Sequence, residues 1–147
     1  ILLWLTEQHP EAALAPLPLT ATRAQFLRWM SFIPAAIYSM YWVRDEPERL
    51  MGPSTALYPQ LLHLTAERIA YCWQVMDRQL TPGCFLLGDQ LSVLDIYVAV
   101  ASRWTPGRKR FYSEAPAMAK VVKQVDALPA LQAFWRKRFP FSEGWEG

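Results

Sequence analysis

The chain has 147 residues, enough for one domain with a sizeable core. Hydrophobic residues make up 52% and charged residues 19%, which excludes a disordered polyelectrolyte. A net charge of +2 gives no global reason to expect nucleic acid, and the longest apolar run, residues 29–43, falls short of the roughly 20 residues a bilayer span needs. Cys72 and Cys84 lack metal-ligand spacing and read as reduced thiols of a cytoplasmic protein.

No signal peptide is visible, and the first residue is Ile1 rather than Met, so the chain reads as a fragment or a processed product. Residues 1–9 read as the last turns of a helix, ended by His9-Pro10 because the residue before proline is pushed out of the helical region. Residues 10–19 carry Pro10, Pro16 and Pro18 and read as an extended connector. From Thr20 or Thr22 a long helix is expected, apolar around most of its circumference, with Pro34 predicting a kink. Ser54 is the candidate N-cap of a helix running to about Gln79. Leu62, Ala66, Ile69, Trp73, Met76 and Leu80 form one stripe on it; Leu57, Leu61, Leu64, Cys72 and Val75 form a second. Thr105 to Arg110 reads as a solvated basic loop. Helices are expected over residues 115–125, starting at Pro116, and from Pro129, with Leu131, Phe134, Trp135 and Phe139 inward. No stretch shows the bounded, alternating β-branched pattern of strands, so the expected class is all-α.

The most informative stretch joins a polar turn, Gly88-Asp89-Gln90, to the apolar segment that begins at Leu91. Ser92-x-x-Asp95 is a candidate capping box, in which serine and carboxylate each satisfy a backbone N–H left free at a helix start. Leu91 and Ile96 are spaced to staple across it. No charge occurs from Ile96 to Ser102, so the helix belongs in the middle of the domain and its start needs a cap other than water.

Residues 85–104, Phe-Leu-Leu-Gly-Asp-Gln-Leu-Ser-Val-Leu-Asp-Ile-Tyr-Val-Ala-Val-Ala-Ser-Arg-Trp, resemble the signature segment of the C-terminal domain of cytosolic glutathione S-transferases, closest to the bacterial beta-like classes. Arg23-x-x-x-Leu27-x-Trp29-Met30-x-Phe32 is similar to the opening of that domain's first long helix. The resemblance implies an all-α bundle of about five helices over residues 20–147. It makes residues 1–9 the end of a thioredoxin-like domain and residues 10–19 the linker after it. It also implies glutathione as co-substrate, a hydrophobic electrophile, a homodimer, no metal, no nucleic acid and no membrane. The family's thiol-activating Ser, Tyr or Cys belongs to the thioredoxin-like domain, so no catalytic residue transfers to this chain and the chain alone is expected to be inactive. Tyr38, Tyr41, Trp42 and Trp104 would line the acceptor-substrate wall. Ser31 would reach the glutathione of a neighbouring subunit. The same fold also serves as a non-catalytic helical interaction module, which is the alternative reading.

Other polar residues read as structural. Asp95 is a cap rather than an acid or base. His9 and His63 have no Cys or carboxylate partner at useful spacing. The clusters Arg103, Arg108, Lys109, Arg110 and Arg136, Lys137, Arg138 read as a solvated loop and a cation-favouring helix end.

Overall fold

A computed structural model describes residues 1–147. It contains helices and no strand. The helices are α1 (Leu2–Gln8), α2 (Ala21–Phe32), α3 (Ser39–Asp45), α4 (Glu48–Met51), α5 (Tyr58–Gln79), α6 (Val93–Ala101), α7 (Arg108–Glu114), α8 (Pro116–Ala127) and α9 (Gln132–Arg138). The expected all-α bundle is therefore present.

Thr20 starts α2: its hydroxyl accepts from the Arg23 N–H at 3.0 Å. The kink expected at Pro34 takes a specific form. Residues Ile33–Tyr38 are a π-helical segment that runs without a break into α3. Proline has no N–H to give, and its ring would press on the carbonyl a turn earlier; widening the turn relieves both. Ser39 then donates to the Ala35 carbonyl at 2.7 Å. The rod from residue 21 to 45 lies antiparallel to α5, since Arg28 meets Gln79 at one end and Arg44 meets Leu62 and Thr65 at the other.

At the centre is α6, packed against α8 and α2. Val93, Leu94, Asp95, Val98, Ala99 and Ala101 are all buried. Its start is capped as expected, with the carboxylate as the hub. One Asp95 oxygen accepts from the Ser92 N–H at 2.8 Å and the Ser92 hydroxyl at 2.7 Å, and the other accepts from the Leu86 N–H at 2.7 Å. A further donor is met from outside the motif, because the Val93 N–H donates to the Leu14 carbonyl at 2.8 Å. The connector is thus pinned to the core helix. Burial pushes the Asp95 carboxyl above its ordinary range, and the three hydrogen bonds oppose that shift.

Some expectations change. Residues 10–12 form a single 3-10 turn, so the connector is not extended throughout. Ser54 makes no side-chain cap, and a 3-10 turn over Thr55–Leu57 precedes α5. The first stripe of α5 faces the core, with Ile69, Trp73, Met76 and Leu80 buried, whereas the second is buried at Cys72 but exposed at Leu57 and Leu64. Trp135 is buried but Phe134 is exposed, so α9 presents one aromatic face to the core and the other to solvent. The start of α8 has no side-chain cap of its own; the Asp77 carboxylate of α5 accepts the Met118 N–H at 2.8 Å.

The largest correction is at Arg108. It opens α7, and its side chain is fully buried. Its guanidinium donates to both Asp126 oxygens (2.7 and 3.0 Å), to the Ala99 carbonyl (2.6 Å) and to the Tyr112 hydroxyl (3.0 Å). A buried arginine needs such a set, since an unpaired charge in the interior costs several kcal/mol.

Candidate functional site

The rod and the end of α6 meet at an open cleft of about 530 Å³, lined by Tyr38, Tyr41, Asp45, Arg103, Trp104 and Thr105. Tyr38, Tyr41 and Asp45 fall on one face because they are three and four residues apart along the rod. Trp104 and its neighbours come from the turn after α6. Three rings meet there edge to face. Tyr38 and Trp104 lie 4.9 Å apart at 89°, Tyr41 and Trp104 5.4 Å apart at 85°, and Tyr38 and Tyr41 6.2 Å apart at 77°. Tyr97, on α6 and seven residues before Trp104, stands 6.4 Å from Tyr38. Such contacts fix ring orientation, each contributing about 0.5–1.5 kcal/mol beyond burial.

The tyrosines differ in what holds them. The Tyr41 hydroxyl donates to the Thr105 carbonyl at 2.6 Å, tying the rod to the turn. Burial pushes its phenol far above the usual tyrosine range, so it stays neutral and acts as a strut. Tyr38 is 43% exposed and forms an open wall of the cleft. Trp42 lies outside the cleft, because consecutive helical residues point about 100° apart. It is 57% exposed, and the Arg49 guanidinium lies 5.2 Å from its ring. Ser31 is also exposed and outside the cleft.

The spacing of Asp45 from Tyr38 and Tyr41 could have revealed it. Arg103 could not be found that way. Read as part of a solvated basic patch, it is instead drawn down by aromatic residues of the C-terminal tail. Its guanidinium lies 4.3 Å from the Trp145 ring, 4.9 Å from Phe141 and 5.5 Å from Phe139. It donates to the Pro140 carbonyl at 2.9 Å. Burial, with Arg108 nearby, lowers its pKa from the ordinary arginine value.

Aromatic faces of Tyr38, Tyr41 and Trp104 share the cleft with the side chains of Asp45 and Arg103, which suits holding a flat apolar skeleton beside a few polar groups. His9 pairs with Glu11 at 3.1 Å, with both side chains exposed, and His63 is exposed on α5. No three His, Cys, Asp or Glu residues come together as metal ligands would.

Comparison with known proteins agrees with this architecture. Residues 59–138 match the family model described as the glutathione S-transferase C-terminal domain. The chain is 28% identical over 132 residues to the uncharacterized GST-like protein YncG of Escherichia coli (strain K12), covering 90% of this chain and 62% of that protein. A glutathione transferase homolog from Sulfitobacter, solved with bound glutathione, superposes with a TM-score of 0.76 at 18% identity, over 91% of this chain and 64% of that one. The bacterial GST BphK, solved as a ternary complex, superposes with a TM-score of 0.69 at 23% identity, over 92% and 64%. The chain thus spans a little under two thirds of the length of these relatives. The family match covers more than half of the sequence and falls on the helices that build the core: the chain belongs to the glutathione S-transferase C-terminal domain family.

Proposed function

We propose that this chain is the acceptor-binding half of a glutathione S-transferase-like enzyme, in which the whole protein joins the thiol of glutathione to a hydrophobic electrophile. The observation that carries the reading is the cleft between the rod and the end of α6, with Tyr38, Tyr41 and Trp104 as its walls. In the reaction the sulfur anion attacks an electrophilic carbon. A C–S bond forms as the leaving group departs, or as the electron pair moves onto the acceptor. Tyr38 and Trp104 hold the carbon skeleton, Tyr41 keeps the Trp104 turn in place, and thiol activation falls to a thioredoxin-like domain preceding residue 10. In this proposal residues 10–19 link the two domains, Ser31 meets the glutathione of a second subunit in a homodimer, and the enzyme works in the cytoplasm.

The test is titration of the chain with 2,4-dinitrotoluene, an unreactive nitroaromatic, read by quenching of tryptophan emission. Saturable quenching is expected. Tyr38→Ala should weaken it about three- to tenfold, the loss of one aromatic wall, when measured well below the variant's own unfolding transition, which the lost ring contacts lower. In the full-length protein the same substitution should raise KM for 1-chloro-2,4-dinitrobenzene and leave KM for glutathione alone. Equal binding by the wild type and Tyr38→Ala would overturn the proposal.

A further inference from the structure

The chain after α9, residues 139–147, has no regular helix, yet it lies against the back of the cleft wall. Arg103 joins the two. It lines the cleft beside Trp104, and its guanidinium is gripped by Phe139, Phe141 and Trp145 while donating to the Pro140 carbonyl. The grip repeats a few residues on. The Lys109 N–H donates to the Glu146 carbonyl at 3.1 Å, and the Arg108 guanidinium lies 5.3 Å from the Trp145 ring. Between them Gly107, at φ +95°, lets the tail backbone pass: a Cβ there would stand 2.9 Å from the Glu146 carbonyl oxygen.

The turn from Trp104 to Gly107 is therefore clamped from two sides. Tyr41 holds it from the cleft through the Thr105 carbonyl, and the tail holds it from behind through Arg103. The tail also rests on α9, where the Trp135 ring lies 6.2 Å from both Phe139 and Phe141. A groove of about 470 Å³ separates it from α8, between Phe141 and Trp145 on one side and Lys123 and Asp126 on the other. Arginine stacked on several rings is a directional contact, which a lysine ammonium, without the planar guanidinium, cannot reproduce.

We propose that Arg103 is a positioning residue through which the C-terminal tail sets the acceptor affinity of the cleft. Removing the tail's rings frees the guanidinium, the Trp104 turn loses its rear support, and the wall facing Tyr38 loosens. The inference rests on the cleft being the acceptor site, and the experiment separates the two.

The wild-type chain, Trp145→Ala, Trp145→Phe and Arg103→Lys are compared, with Met118→Ala as a core-cavity control remote from the cleft. Two readouts are taken: the 2,4-dinitrotoluene Kd and the 19F resonance of Trp104 in protein labelled with 5-fluorotryptophan, assigned with Trp104→Phe. Trp145→Ala and Arg103→Lys are expected to raise Kd about three- to tenfold and to shift or broaden the Trp104 resonance. Trp145→Phe should restore both, because it keeps an aromatic face over the guanidinium. Met118→Ala should lower the melting temperature and leave both readouts unchanged. An unmoved Trp104 resonance in Trp145→Ala overturns the inference whatever the wild type binds. A resonance that moves while the wild type does not bind overturns the acceptor reading and, with it, the tail's role in affinity.

Discussion

Replacing Asp95 by alanine removes the hub at the start of α6, and the structure gives the size of the effect. Three hydrogens now point at the carboxylate, from the Leu86 N–H, the Ser92 N–H and the Ser92 hydroxyl. The hydroxyl can rotate to another acceptor, but the two amides are fixed by the backbone and have no water to turn to. Each stranded buried donor costs about 1–3 kcal/mol. Part of this is returned, because the carboxylate itself is fully buried and its pKa is raised by that burial. A net loss of about 3 kcal/mol is expected, against about 1 kcal/mol for removing an exposed cap. At a few degrees per kcal/mol in a chain of this size, the melting temperature should fall by about 6–12 °C. The assay is thermal unfolding by circular dichroism together with a urea titration, with 2,4-dinitrotoluene binding measured well below the transition. A loss of no more than about 1 kcal/mol would refute the claim that the cap is dry. Unchanged stability with lost binding would refute the structural role altogether.

The pH dependence of the same site sets burial against hydrogen bonding. The folded pKa of Asp95 is raised above its ordinary value of 3.8, so in the window just above that value the folded state holds more protons than the unfolded chain. This group's contribution therefore falls as pH rises through the window and is flat at neutral pH. The stability of the wild type relative to Asp95→Asn should grow on going from pH 7 to about pH 4, and a gap that narrows would mean that the three hydrogen bonds win. Arg108→Met should cost about 3–5 kcal/mol in urea unfolding by leaving Asp126 unpaired, and Arg108→Met with Asp126→Leu should recover most of the loss. A double variant no better than the single would show that the pair is net stabilising. Tyr41→Phe should cost about 1 kcal/mol and weaken dinitrotoluene binding, by releasing the Thr105 carbonyl; unchanged binding would remove its role as a strut.

Where a short stretch of sequence determines its own geometry, the fold was legible. Thr20, Pro116 and the Ser92–Asp95 box each mark a helix start from local chemistry, and all three helices begin there. Pro34 announced a disturbance, though not that a π segment would absorb it. What stayed hidden depends on partners distant in sequence. Nothing near Arg108 tells that Asp126 waits eighteen positions away on α8, so a run of Arg and Lys read as solvated surface. Nothing near Arg103 tells that Phe139, Phe141 and Trp145 will gather round it. Likewise the cap of α8 comes from Asp77 on another helix. Tyr38, Tyr41 and Trp104 come together around one cleft, whereas Trp42 lies outside it, since it is one position off that face.

The π segment at Ile33–Tyr38 also decides where the chain can change length. A π turn takes about one residue more than an α turn, so it holds a spare residue between two halves whose faces are fixed separately. Upstream, Phe26, Trp29 and Met30 fix the half that packs into the core. Downstream, Tyr38, Tyr41 and Asp45 fix the half that faces the cleft. Loss of an exposed residue of the segment, such as Ala35, can be taken up by tightening to an ordinary α turn, provided Ile33 and Ile37 stay buried. Loss of one residue within α2 or α3 turns one half by about 100° against its neighbours. Insertions and deletions among natural variants of this domain should therefore gather at residues 33–38 and be rare on either side, and the composition of the cleft wall can drift without disturbing the core beneath it.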